Sequence, residues 1–228
     1  MKFLYPSKRL ALATAACLLP LTGMAAENSD NLNYRYVEVD YINFDIDQPH
    51  EDSLFRDDFD NGGGYGISLS VPVSEAVFVY ASYSDTESDF NFVDNTGAWV
   101  PGSTDLLRLD VGLGLILPMS DVADVVLSGG YADIDYDDFR LGATSSAALN
   151  DLTDDPSDGY VVEAKLRSQL SRSVEGSIGA RYTDIGNADG FSLVGNLMYE
   201  FTPNWGLNLS IDAGDELVTY GAGIRYSF

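Results

Sequence analysis

Residues 107–117 read Leu-Arg-Leu-Asp-Val-Gly-Leu-Gly-Leu-Ile-Leu. Every second residue is Leu or Val, and between them stand Arg108, Asp110, Gly112, Gly114 and Ile116. Successive side chains of an extended strand point to opposite faces, so this stretch has one wholly apolar face and one mixed face. The three- and four-residue spacing of an amphipathic helix is absent. The same alternation returns from Tyr160 to Leu170, from Val174 to Tyr182, from Phe191 to Phe201 and from Val218 to Phe228.

Working outward, ten segments read as strands: 33–45, 64–72, 76–85, 105–117, 123–134, 159–170, 173–184, 190–201, 205–213 and 217–228. Several reach the ~9 to 11 residues that a tilted strand needs to cross a bilayer. Their connections alternate in kind. Short turns (Pro72 to Glu75, Pro118 to Val122, Ser171 to Ser173, Thr202 to Asn204) take turns with long polar stretches at 46–63, 86–104 and 135–158 and short links at 185–189 and 214–216. Long connections at one end and tight turns at the other predict an all-β fold, a transmembrane antiparallel up-and-down β-barrel of ten strands. Eight strands is the alternative, should the first hairpin pair differently.

The first 26 residues read differently from the rest. Lys2, Lys8 and Arg9 precede the apolar run Leu10–Leu21, and Gly23-Met24-Ala25-Ala26 offers a small-residue cleavage site. This is the pattern of a secretory signal peptide, so residues 1–26 are expected to be a cleaved leader and 27–228 the barrel. Beyond it, no run approaches the ~18 to 20 apolar residues of a membrane helix. The one Cys, Cys17, lies in the leader, so no disulfide framework is expected in the exported chain. With 12 Lys+Arg against 36 Asp+Glu, the chain carries a formal charge of -24. That balance argues against nucleic-acid binding, which needs bases to neutralise phosphates.

Aromatic placement separates a membrane barrel from a soluble one. Near the long-loop end the apolar face carries Tyr41, Tyr65, Tyr83, Tyr131, Tyr160, Tyr182, Phe191 and Tyr220. At the short-turn end it carries Tyr199, Phe201, Trp205, Tyr226 and Phe228. Between the two rims lie Val, Leu, Ile, Ala and Gly. Amphipathic rings favour the headgroup level, whereas a soluble core places its largest rings centrally. The chain also alternates up to its final residue. Tyr226-Ser227-Phe228, with the alternation before it, resembles the terminal assembly signal of Gram-negative outer-membrane barrels. The whole exported chain resembles the small opacity-type surface barrels. Tyr36-Val37-Glu38, Val174-Glu175-Gly176 and Phe201-Thr202-Pro203-Asn204-Trp205-Gly206 are similar to stretches of the rice-immunity-activator-like barrel family. The resemblance implies an outer-membrane location, insertion by the barrel-assembly machinery with Tyr226 and Phe228 as its signal, and contact with outer-membrane lipid and lipopolysaccharide. A monomer is expected. The resemblance implies no single activity.

The charges sort with this topology. Of the 36 acids, 24 fall in the outer loops and adjoining strand ends, accompanied only by Arg56 and Arg140. The inward face receives the acids Glu38, Asp40, Asp110, Asp124, Glu163, Glu175, Glu200 and Asp212 and the bases Arg108, Lys165, Arg167, Arg181 and Arg225. No charge falls mid-height on the lipid face, where a base would cost roughly 2 to 4 kcal/mol. The inward set is either an ion-pair network in a closed or very narrow lumen, narrowed further by Tyr36, Phe78, Tyr80, Val126, Val161 and Met198, or the lining of a cation-preferring channel. In the long acidic loop, Asp133, Asp135, Asp137 and Asp138 are candidate ligands for a structural Ca2+ or Mg2+, since clustered carboxylates suit hard cations. Their spacing lacks the Gly and terminal Glu of an EF-hand, and the plainer reading is a solvated negative surface.

Catalytic residues are not evident. His50, beside Glu51, Asp52 and Ser53, lacks an oriented partner and a sheltered nucleophile, and reads as a solvated loop histidine. No cofactor motif is present; Gly62-Gly63-Gly64 opens a strand, not a helix. The leading functional expectation is a non-enzymatic surface barrel that supports envelope integrity and surface charge. The alternatives are a narrow, porin-like diffusion channel for small cationic or neutral solutes, and a surface adhesion or recognition protein acting through the acidic loops.

Overall fold

The computed structural model describes residues 32–46, 61–93, 99–141, 144–145, 157–186, 188–215 and 217–228. They form β1 (Tyr36–Ile46), β2 (Asn61–Pro72), β3 (Val77–Val93), β4 (Trp99–Ser120), β5 (Ala123–Leu141), β6 (Thr144–Ser145), β7 (Ser157–Ser171), β8 (Val174–Ile185), β9 (Ala188–Glu200), β10 (Trp205–Gly214) and β11 (Leu217–Ser227). Each pairs antiparallel with its chain neighbour, except that β5 pairs with both β6 and β7. The two-residue β6 only folds back on the tip of β5. The ring closes through β1 and β11, with Tyr36 opposite Ser227 and Ile46 opposite Leu217. The result is a closed barrel of ten strands, not eight.

Following the paired residues once round the ring returns to β1 about 12 residues further along, a shear that tilts ten strands by ~40° and sets a backbone diameter of roughly 20 Å. At that width, side chains from opposite walls nearly meet.

Exposure confirms which face is which. Tyr65 and Phe191 are 68% and 71% exposed, whereas Val126 and Asp124 are 1% and 0% exposed. Leucines and valines at 111, 113, 115 and 117 point outward, and Ile116 is buried inside. The rings of the aromatic rims pack in edge-to-face and tilted pairs. Tyr41 and Tyr65 meet with ring centroids 5.6 Å apart, Tyr182 and Phe191 at 4.9 Å, and Trp205 and Tyr226 at 4.9 Å. The Phe228 ring stacks on Tyr226 at 6.1 Å, and its backbone N–H donates to the Arg35 carbonyl at 3.2 Å. The chain leaves β8 at the outer rim through Gly186 at φ 59°, a left-handed conformation that glycine adopts freely.

Several strand limits differ from the expectation. The stretches 86–104 and 135–158 were expected as loops, yet β3 runs to Val93, β4 starts at Trp99 and β5 runs to Leu141. Thr86, Ser88 and Thr104 point inward there, with Glu87, Asp89 and Asp105 on the outer side. Alternation persists, but between two polar sets, so hydrophobicity does not display it. Another difference is at the start: β1 begins at Tyr36, not at residue 33, and Leu32 and Tyr34 are buried in the lumen.

Inward aromatics on β3 are seated on glycines of β4. Phe78 lies opposite Gly114 and Tyr80 opposite Gly112. A Cβ added at Gly114 would stand 2.0 Å from the Phe78 ring. Gly114→Val is therefore expected to destabilise the barrel by about 1 to 3 kcal/mol, with most of the loss recovered in Gly114→Val/Phe78→Leu. Gly190→Ala, where an added Cβ meets nothing within 4 Å, should be neutral. Urea unfolding in detergent micelles reads all three.

Candidate functional site

Strand alternation delivers the inward charges into the barrel interior, so the geometry of their pairing decides what the lumen can do. At the periplasmic end, Arg167 on β7 grips Glu175 on β8 with two parallel hydrogen bonds. Both side chains are almost wholly buried. One level higher, Arg225 on β11 donates to Glu38 on β1, Asn208 donates its amide to the other Glu38 oxygen at 2.6 Å, and Asn196 donates to Asn208. The Arg225 guanidinium lies 3.9 Å over the Tyr36 ring. The carboxylate of Glu38 is thus satisfied from two strands, β11 and β10.

The middle of the lumen holds a larger cluster. Arg181 on β8 donates to Glu163 on β7 from Nε at 3.0 Å and from Nη2 at 2.7 Å, and its Nη1 reaches Asp212 on β10. Lys165 approaches the other Glu163 oxygen at 2.8 Å. On the facing wall Arg108 makes a fork to Asp110, two residues along the same face of β4, at 2.9 and 3.0 Å. Bidentate guanidinium–carboxylate pairs combine charge with fixed geometry, which suits a buried site better than a flexible ammonium.

Two apolar clusters bracket this ionic layer. Leu32, Tyr34, Phe78, Ile116 and Val126 fill the periplasmic mouth, with Tyr80 packed against them. Ala132, Val161 and Ile185, joined by Ile134, pack nearer the outer end. Of the inward residues expected from the sequence, Glu38, Arg108, Asp110, Glu163, Lys165, Arg167, Glu175, Arg181, Asp212 and Arg225 therefore come together in pairs. Asp40 stands beside Gly223, with its Oδ1 buried and without a hydrogen bond. Glu200, half-buried, lies at the periplasmic end of β9. The sequence reading missed that Leu32 and Tyr34 fill the mouth ahead of β1; its only signal was that these two residues are apolar and share the inward phase.

Asp133 and Asp135 lie on the outer part of β5, on the same side as Tyr131. The side chains of Asp137 and Asp138 lie outside the described residues, as do His50 and the loop acids Asp151, Asp154 and Asp155. Among the described residues no group of three or more His, Cys, Asp or Glu could hold a metal ion. A polar recess of about 310 Å3 opens on the outer wall at the rim, lined by Tyr41, Asn43, Gly63, Tyr65, Glu87 and Asp89.

Residues 13–201 match the family model of the outer membrane protein beta-barrel domain. The chain belongs to that family. Membership places the barrel in the outer membrane, the location to which its aromatic rims and inside-out polarity already point. No curated protein matches the chain. Among solved structures, it is similar to OprG from Pseudomonas aeruginosa at 9% identity, covering 88% of this chain and 99% of that one with a TM-score of 0.47. It is similar to the translocator domain of the autotransporter NalP from Neisseria meningitidis at 14% identity, covering 96% and 94% with a TM-score of 0.49. A third is Ail, the attachment invasion locus protein of Yersinia pestis, at 12% identity, covering 86% and 100% with a TM-score of 0.38. None is near enough to lend this chain an activity.

Removing one partner of a buried ion pair strands the other, at about 3 to 5 kcal/mol, whereas replacing both with apolar groups is close to neutral. Glu38→Leu should accordingly cost the barrel about that much stability, and Glu38→Leu/Arg225→Met should recover most of it. Urea midpoints from the heat-dependent shift in gel migration measure the pair.

Proposed function

We propose that this protein is a non-enzymatic structural component of the outer membrane, a barrel with a closed, ion-paired lumen that presents an acidic surface to the exterior. The observation that carries this reading is the occupancy of the inward face. The apolar mouth, the Glu38–Arg225–Asn208 group, the Glu163–Arg181–Asp212 and Arg108–Asp110 clusters and the upper apolar cluster succeed one another along the axis. Within a backbone diameter of roughly 20 Å they leave little room for a water column.

The outer surface supports the second half of the reading. Just beyond the tyrosine rim, on the same outward face, the strands carry Asp45, Asp85, Glu87, Asp105, Asp158 and Asp184. In this reading the belt faces the phosphates of outer-leaflet lipopolysaccharide. Bare carboxylates and phosphates repel, and divalent cations between them turn repulsion into a bridge. Such a belt would tie the barrel into the leaflet.

Two measurements test the proposal. In planar bilayers the refolded protein should give no steady step openings; cation-selective openings would instead support a narrow diffusion channel. In bilayers containing lipopolysaccharide, chelation of Ca2+ and Mg2+ should lower the unfolding temperature, while in detergent alone it should not. An equal response in both media removes the bridging role.

A further inference from the structure

Two recesses adjoin on the outer wall, one polar and one apolar, and the Tyr41–Tyr65 pair borders both. Along β1 the outward residues run Val39, Tyr41, Asn43 and Asp45 from the membrane towards the exterior. Asn43 stands opposite Gly63, and Gly63 opposite Glu87, so the middle of that row has no side chain. The polar recess of about 310 Å3 opens there. The Tyr41 hydroxyl turns up into it, 3.0 Å from where a Gly63 Cβ would be. Asn43 is pinned beside it by a 3.1 Å bond from its amide to the Gly62 carbonyl. Glu87 and Asp89, both exposed, form the other wall, and no base lines the recess among the described residues. On the membrane side of the tyrosines, Ala222 stands between Tyr41 and Leu209 as the smallest side chain of its row. The apolar recess of about 300 Å3 lies there, walled by Val39, Leu207 and Ile224.

We propose that the two recesses together hold one phospholipid with a primary ammonium headgroup, of the phosphatidylethanolamine class. Glu87 and Asp89 take the ammonium, the tyrosine hydroxyls donate to the phosphodiester, and an acyl chain lies over Ala222. The site depends on the outer-membrane placement of the barrel. It is independent of the closed lumen and of the divalent-cation belt.

The order of chemistries down the wall selects this class. A carboxylate is all acceptor and an ammonium all donor, and hydrogen bonds between them are charge-assisted. Tyr41 and Tyr65, each more than half exposed, offer ring faces that attract a cation as well. Ethanolamine carries its cation one ethylene beyond its phosphate. A single headgroup therefore meets carboxylates, phenols and apolar wall in the sequence in which the protein presents them. Phosphatidylglycerol brings the phosphate without the cation. The phosphates of lipopolysaccharide meet the same two carboxylates with no cation of their own. Choline keeps the charge and loses the donors. Small concave sites with a few placed polar groups bind in this selective way, whereas the flat lipid face around them does not.

Native mass spectrometry of the refolded barrel tests the site, with release from micelles that contain phosphatidylethanolamine, phosphatidylglycerol and lipopolysaccharide in equal amounts. The barrel should retain phosphatidylethanolamine roughly fivefold over phosphatidylglycerol. It should keep that lipid when divalent cations are chelated, which separates this site from the cation belt. Phosphatidylcholine, offered in place of phosphatidylethanolamine, should be retained less. Glu87→Gln/Asp89→Asn, two exposed changes, should erase the preference between the two phospholipids. Ala222→Phe should fill the lower recess and reduce retention of both. Heat-dependent gel migration establishes that each variant is folded; where Ala222→Phe does not fold, the acid variant decides alone. Equal retention of the two phospholipids by the unaltered barrel overturns the proposal, as does an undiminished preference in the folded acid variant. Retention of lipopolysaccharide in place of phosphatidylethanolamine, or loss of the lipid on chelation, also overturns it and leaves the cation belt standing.

Discussion

In hydrocarbon no water is present to satisfy a free N–H or C=O, and each unsatisfied group costs several kcal/mol. A sheet can live there only if it has no edge. The pairing of β1 with β11, residue for residue from Tyr36–Ser227 to Ile46–Leu217, therefore underlies the rest of the structure. Once the ring is closed, its strand number and shear fix the diameter, and the diameter fixes how much side chain the interior can take. Large inward rings fit because Gly112 and Gly114 give up their side chains directly opposite Tyr80 and Phe78. The wall and its filling are thus one packing problem, solved in pairs across neighbouring strands.

Polarity is inverted relative to a soluble protein. The apolar face meets lipid, where it needs no partner beyond acyl chains, and the ionic face is turned to the interior, where Arg167, Glu175, Glu38 and Arg225 are almost wholly buried. Charges in such a place are tolerable only when matched, and the matching is local. Arg167 faces Glu175 and Arg225 faces Glu38 across adjoining strands, while Arg181 reaches both β7 and β10. These bridges cross-link strands that lipid alone would not hold in register.

Much of this was legible in the chain. The period-2 pattern, the two aromatic rims and the apolar final strand identified the ten-strand barrel, because each follows from one physical demand of a bilayer on a strand. Facing was legible for the same reason: Glu163 and Arg181 had to point inward once Val162 and Tyr182 pointed out. Which acid meets which base was not, since that depends on register between strands, and periodicity within one strand carries no register. The outer halves of β3, β4 and β5 were hidden because Thr86 and Ser88 alternate with Glu87 and Asp89, polar against polar. The seating of Leu32 and Tyr34 in the mouth was hidden by phase. Tyr34 points inward whether it continues β1 or turns into the mouth, so alternation reads the same for both.

The seam between the first and last strands also has a consequence for biogenesis. Its two sides lie at opposite ends of the chain, with every other strand between them in sequence. No partially translated or partially exported fragment can seal itself. Until Ser227 has arrived, two raw edges remain, each prone to pair with whatever extended polypeptide is nearest. The chain must therefore be kept apart from its neighbours until both sides of the seam are present.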